Sequence, residues 1–223
     1  QDTDTTVANL DSIARLLRCS GVDIVALQEA DGPSFWSGNF NHVDYLANNG
    51  AFSQSVQGMH VDGLGLAYGT ALMANLALNN PKAITFDPSL SPVPKGFVVS
   101  TVKWPGHADI DVDIVSVHLD FASAAVRRQQ AAELIETLGR RGHPVIIMGD
   151  FNEWYIGARP LRWLARRLGA LPALPTFPSH RPLLALDRIW VHPPESVLRL
   201  HLHFSRTAAV ASDHLPLVAD IRI

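Results

Sequence analysis

The chain has 223 residues, a net charge of −3 and a pI near 6.4, so no overall basic field is available to hold a polyanion. At 47% hydrophobic and 17% charged residues it can bury a substantial core, which excludes a disordered chain. A single cysteine, Cys19, excludes an internal disulfide, and no apolar stretch reaches the roughly 18 residues of a membrane span.

The compartment is open. No signal-peptide pattern is present, and the opening Gln1-Asp2-Thr3-Asp4 raises the expectation of a processed or deleted leading segment. Val7–Arg18 places apolar residues at helical spacing, with Thr5 or Thr6 as candidate cap, and Gly21 stops it. Asp23–Gln28 follows as a short buried strand ending at Glu29. A helix feeding directly into a buried strand points to layered α/β structure. Residues 30–69 carry Phe35, Trp36, Phe40, Tyr45 and Phe52 among Gly and Asn, with a short helix expected at His42–Asn48. Trp36 is a candidate for touching substrate, although aromatics more often serve as buried area.

Gly69–Ala77 reads as a strand, and Pro81–Pro94, with four prolines, as a loop. Gly96–Trp104 and Ile110–Val117 read as a hairpin across Pro105-Gly106. Asp111 and Asp113 alternate with Val112 and Ile114, which predicts a solvated face for both acids; the strand ends at His118. Ala122–Gly139 is a strong helix capped by Ser123. Val145–Met148 is an apolar, β-branched run buried on both faces, ending at Gly149, Asp150 and Asn152. Gly-Asp-Phe-Asn is turn-like, but an acid and an amide at the end of a buried strand also stand on a rigid base aimed at one place. Arg159–Leu168 is a short helix whose arginines read first as a solvated face. A proline-rich loop precedes Leu183–Val191, a strand with Asp187 in its middle, where a charge should be paired or functional. Val197–Phe204 alternates as a half-exposed strand with His201 and His203 on its wet face. Ala211-Ser212-Asp213-His214 leads into a closing strand, Leu215–Ile223.

The polar residues that end or interrupt these strands are Glu29, His118, Asp150, Asn152, Asp187, Asp213 and His214. Four carboxylates, two histidines and an amide, with no thiolate, suit a hard cation such as Mg²⁺ or Mn²⁺ better than zinc. No H-E-x-x-H, serine elbow, phosphate loop or dinucleotide fingerprint is present.

In order and content, I-V-A-L-Q-E (24–29), V-S-V-H-L-D-F (115–121), V-I-I-M-G-D-F-N-E (145–153), L-D-R-I-W-V (186–191) and A-S-D-H-L-P-L-V-A-D (211–220) resemble the endonuclease/exonuclease/phosphatase superfamily. The resemblance implies one domain over residues 1–223, an α/β four-layer αββα sandwich of two packed, mainly antiparallel sheets flanked by helices. It implies metal-dependent hydrolysis of a phosphate ester, with Mg²⁺ or Mn²⁺ as cofactor. Glu29 is then a metal ligand, and Asp213 lies beside the metal or orients a histidine. Asp150 orients or deprotonates the attacking water, and Asn152 helps to hold it. His118 and His214 donate to phosphoryl oxygens, and Asp187 pairs with His214. Two departures stand out. Nothing upstream of the first helix supplies the family's first strand and its metal-site Asn, since Asn9 lies inside the helix. Thr70 and Lys95 stand where an Asn and an Arg are usual; Lys95 is a substrate-binding candidate that keeps the charge without the fork.

The expected partner is a phosphate-ester substrate, whether nucleic acid, phospholipid head group or small phosphoester such as an inositol phosphate. No obligate protein partner is inferred, and a monomer is expected. A non-catalytic binding protein on the same fold is the alternative from another class.

Overall fold

The computed structural model describes residues 3–33, 38–63, 66–155 and 157–223. Its elements run α1 (Thr3–Ser20), β1 (Ile24–Asp31), α2 (His42–Gly50), β2 (Gln54–Gly63), β3 (Leu66–Ala74), β4 (Asn79–Thr85), β5 (Gly96–Trp104), β6 (His107–His118), α3 (Ala124–Gly139), β7 (Val145–Asp150), α4 (Arg159–Leu168), β8 (Asp187–His192), β9 (Val197–Leu202), α5 (Arg206–Ala211) and β10 (Leu217–Ile221). Five strands form one sheet in the order β4-β5-β6-β7-β8. Three form a second, β1-β3-β2, and β9 and β10 form a ribbon. All pairs are antiparallel except β6 with β7. That parallel pair is joined by the crossover helix α3, as a parallel connection requires.

Strand alternation builds the layers. In the five-stranded sheet Phe97, Val99, Val115, Val117, Val145 and Ile147 face α3 and α4, where Leu134, Leu138, Leu161 and Leu164 meet them. Their neighbours Val98, Val112, Ile114 and Ile146 face the other way and join Leu72 in the core between the sheets. The opposite face of the three-stranded sheet, Ala71 and Met73, is covered by Leu10 and Ala14 of α1 and Val43 and Leu46 of α2. Period-two burial on both faces of the strands thus produces four layers.

Several element readings change. Pro81 lies in strand β4, not in a loop. The strand tolerates it because β4 is a sheet edge and its register breaks between Asn79 and Lys82. Strand β2 and helix α5 carry no strong sequence signal. Asp187 opens β8 instead of interrupting it, because residues 183–186 run as a connection with one bridge, Phe177 to Leu184.

Among the described residues β1 pairs only with β3, and β10 only with β9. Both border one cleft of about 1420 Å³ that runs from α1 to the ends of β6 and β7.

Candidate active site

The site is built on a row. Gly96 of β5 lies opposite His118 of β6, His118 beside Asp150 of β7, and Asp150 opposite Asp187 of β8. Register therefore brings Lys95, His118, Asp150 and Asp187 to one end of the five-stranded sheet, although 92 positions separate the first from the last. Gly149 makes the close approach possible: a Cβ there would overlap the carbonyl oxygen of Val117.

Asp150 is buried, with one carboxylate oxygen 3.7 Å from His118 Nε2. Burial first, then the Asp187 carboxylate, pushes its pKa up to about 6, against the Asn152 N–H, His214 and Lys95. Asn152 holds a left-handed backbone at φ 49°. Its N–H donates to Asp150 Oδ1 at 2.8 Å and its side-chain Nδ2 to the Leu119 carbonyl at 2.9 Å. His214 lies 27 positions after Asp187, yet its Nδ1 donates to Asp187 Oδ2 at 2.7 Å. Burial works against its charge, but the Asp187 hydrogen bond and the carboxylates of Asp187, Asp150 and Asp213 outweigh it and raise its pKa to about 9. Its ring also rests on Phe177, with centroids 5.0 Å apart. His118 is the opposite case: burial and the Lys95 ammonium lower it to about 3, so it is neutral.

Lys95 is a buried cation, with Nζ 3.2 Å from each ring nitrogen of His118 and 3.8 Å from a Glu29 carboxylate oxygen. Glu29 sits on a bulge. The β1 register slips between Leu27 and Ala30, Gln28 is pinned to Ser116 of the facing sheet at 3.1 Å, and Glu29 adopts φ 53°. A bulge with a left-handed non-glycine residue costs about 1–3 kcal/mol and re-aims the side chain. Here it turns the Glu29 carboxylate into the cleft, 70% exposed. Asp213 lies on the same cleft, and its carboxylate is one of those that raise the His214 pKa.

Among the described residues no group of three or more His, Cys, Asp or Glu side chains is gathered as a metal-holding set. Zinc wants three or four such ligands. Magnesium binds through one or two carboxylates and keeps several waters, and the open, re-aimed Glu29 carboxylate fits that pattern.

Trp36 lies outside the described residues. Asp113 is corrected outright: it is 1% exposed, not solvated, and is held by Arg141, Thr101 and His143. A cation on the connection after α3 reaches back over the strand, which alternation does not reveal. Asp111 is half-buried and paired with Lys103 at 2.8 Å. His201 is half-buried along the cleft wall, not on a wet face. Sequence inspection also missed the Asp120, Arg127 and Glu153 cluster. All three are buried, and Arg127 donates through Nε and Nη2 to Glu153 at 3.1 and 3.0 Å. The available signal was Arg127 and Gln130 on the apolar stripe of α3, polar at positions where Ala131 and Leu134 are core.

With this geometry in place, one comparison decides the lineage: the model of the Endonuclease/Exonuclease/phosphatase family matches residues 4–214. The chain belongs to that family. Another sequence similar to this family member is the uncharacterized protein YbhP of Escherichia coli (strain K12), 29% identical over 93% of this chain and 86% of that protein. Similar solved folds include an endonuclease/exonuclease/phosphatase from Beutenbergia cavernae DSM 12333, with TM-score 0.76 and 20% identity over 96% of this chain; the chain spans 66% of that protein. Mannosyl-6-phosphatase Bt3783 of Bacteroides thetaiotaomicron superposes with TM-score 0.71 and 16% identity, covering 100% of this chain and 96% of that one. A humanized TDP2 of D. rerio gives the same score and identity over 98% and 93%. These structural likenesses establish the endonuclease/exonuclease/phosphatase fold.

Proposed function

We propose that the protein is a divalent-metal-dependent hydrolase of phosphate esters, a phosphodiesterase acting as a monomeric single domain through a water nucleophile. The observation that carries this is the aligned row at the ends of β6, β7 and β8, where a carboxylate with pKa about 6 stands beside a histidine with pKa about 9. Pairs of groups whose environments push their pKa values apart mark acid and base roles. Between pH 6 and 9 Asp150 is ionised and His214 protonated, so one accepts the proton of water while the other donates to a phosphoryl oxygen. Asp187 accepts from Nδ1–H of the His214 imidazolium, which leaves Nε2–H as its second donor. Neutral His118 and the Lys95 ammonium supply further donors, and Asn152 steadies Asp150.

Glu29 would hold Mg²⁺ or Mn²⁺, with Asp213 on the same cleft; a bound cation would supply charge stabilisation at the phosphoryl oxygens. The family supports hydrolysis over a pure binding role. A mannosyl-6-phosphatase among the similar folds supports a phosphate-ester substrate.

The test is hydrolysis of bis-p-nitrophenyl phosphate with Mg²⁺, with Mn²⁺ and with chelator. Metal-dependent turnover is expected, reduced by about 10²–10⁴-fold in Asp150→Ala. Turnover that Asp150→Ala leaves intact would overturn the assignment of the base. No turnover of this diester, of nucleic acid, phospholipid or sugar phosphates by the folded, metal-loaded protein would favour the binding alternative.

A further inference from the structure

We propose that His60 and Ser116 are positioning residues that latch the three-stranded sheet to the five-stranded one at the site, and so set the Glu29 carboxylate against Lys95, His118 and Asp150. This rests on the metal-dependent hydrolysis proposed above and adds what holds its parts in place. The need for a latch follows from the layers. Glu29 stands on β1 of one sheet, while Lys95, His118 and Asp150 stand at the end of the other. Between the sheets lies an apolar core that includes Leu72, Val98, Ile114 and Ile146. Apolar burial is non-directional, so such a core holds two sheets together without fixing how one is set on the other. Buried hydrogen bonds are directional and do fix it.

Two bulges carry the latches. In β1, Gln28 and Glu29 together face Thr70 of β3. In β2, His60 is the extra residue between Met59, opposite Gly69, and Val61, opposite Tyr68. The two irregularities therefore flank β3 at one level. The first sends the Gln28 side chain across to β6, where Nε2 donates to Ser116 Oγ at 3.1 Å, and the Ser116 hydroxyl donates back to the Leu27 carbonyl at 2.9 Å. The second puts the His60 ring between the sheets. Its Nε2 lies 2.9 Å from Thr70 Oγ1 and its Nδ1 3.2 Å from Thr85 Oγ1 of β4. Burial first, then the Lys95 ammonium, lowers the His60 pKa to about 4. The ring is therefore neutral, and it donates through one nitrogen and accepts through the other. Among the described residues, the hydrogen bonds that cross between the two sheets are Gln28 to Ser116, Ser116 to Leu27 and His60 with Thr85.

Both latches meet the site. Thr85 pairs with Gly96, the residue after Lys95, and a Cβ on Gly96 would stand 2.4 Å from the His60 ring. Ser116 lies two positions before His118 on β6, and Leu27 two before Glu29 on β1. Ser116 and Thr70 are 0% exposed and His60 8%. Removing either latch leaves buried polar groups without partners and frees the Glu29 bulge to shift against the row.

The test measures Mg²⁺ uptake by the full chain in calorimetry, without substrate. Ser116→Ala and His60→Leu should each weaken Mg²⁺ binding by about tenfold or more, the loss typical when a group that orients a metal ligand is removed. Ser100→Ala is the control. Ser100 is also 0% exposed, and its Oγ donates to the Asn79 carbonyl at 2.9 Å, but that bond stays within one sheet. Its loss should lower the thermal midpoint as Ser116→Ala does and leave Mg²⁺ affinity unchanged. His60→Gln keeps a donor and an acceptor and should bind Mg²⁺ more tightly than His60→Leu. Unaltered Mg²⁺ affinity in Ser116→Ala or in His60→Leu, or an equal loss in Ser100→Ala, would overturn the latches. Should His60→Leu fail to fold, Ser116→Ala against Ser100→Ala decides. No uptake of Mg²⁺ or Mn²⁺ by the unaltered chain would instead overturn the metal-dependent reading itself, and the latches with it.

Discussion

At the scale of single residues, the site works by opposed environments. Two imidazoles stand on the same cleft, yet burial and Lys95 hold His118 at about 3 while carboxylates hold His214 at about 9. The folded pKa of His214 lies above its ordinary value of 6.5. Its pairing with Asp187 therefore stabilises the fold fully below pH 6.5, and that contribution is lost as pH rises through about 9. In the metal-free protein, ¹⁵N NMR should show His214 protonated at pH 8, and Asp187→Asn should bring its titration back below that. An unchanged His214 titration in the variant would show that the pair is not what holds the proton. The rate of ester hydrolysis should rise with pH through about 6, as Asp150 ionises, and fall toward 9. Glu29 has a narrower task. Its bulge serves to aim one carboxylate, so Glu29→Ala should abolish Mg²⁺ uptake in calorimetry while the circular dichroism stays the same. Retained uptake would move the metal elsewhere.

At the scale of elements, α3 does more than cover the sheet. It connects the parallel pair β6–β7, packs Leu134 and Leu138 onto them, and sends Arg127 beneath the two loops that leave them. Arg127→Met removes one partner of a buried pair and leaves Glu153 uncompensated. Urea denaturation should show a loss of about 3–5 kcal/mol, and a loss below about 1 kcal/mol would mean that Glu153 finds another partner. Leu134→Ala, at 0% exposure, should cost about 2–5 kcal/mol by leaving a cavity. Much of this layer was legible. Ser123 was readable as the cap of α3, and the helix of Arg159–Leu168 and the strand of Gly96–Trp104 have the bounds their patterns indicate. β4 was not, because a proline is tolerated at an edge that only sheet order defines.

At the scale of the molecule, stability and access are divided. β5, β6 and β7 are interior strands of the larger sheet, between two helices and a second sheet. Among the described residues β1 and β10 keep one partner each, and both border the cleft. Amide hydrogen exchange should be slowest in Val98–Val102, Ile114–Val117 and Val145–Ile147, and faster by orders of magnitude in β9 and β10. Uniform protection across the ten described strands would contradict that division. Among the described residues no helix is long and apolar enough to cross a membrane.

The sequence by itself determined the alternation that makes layers, the helix around Ala124–Gly139, and the identity of the strand-end residues. Each of these depends on local spacing or on the chemistry of one side chain. The tertiary structure alone decided which of those residues meet. Strand register aligned His118, Asp150 and Asp187, a return of the chain set His214 on Asp187, and Arg141 and Arg127 brought cations onto Asp113 and Glu153. Burial and pKa depend on what lies across a gap of tens or hundreds of residues, and no local pattern in the chain encodes that distance.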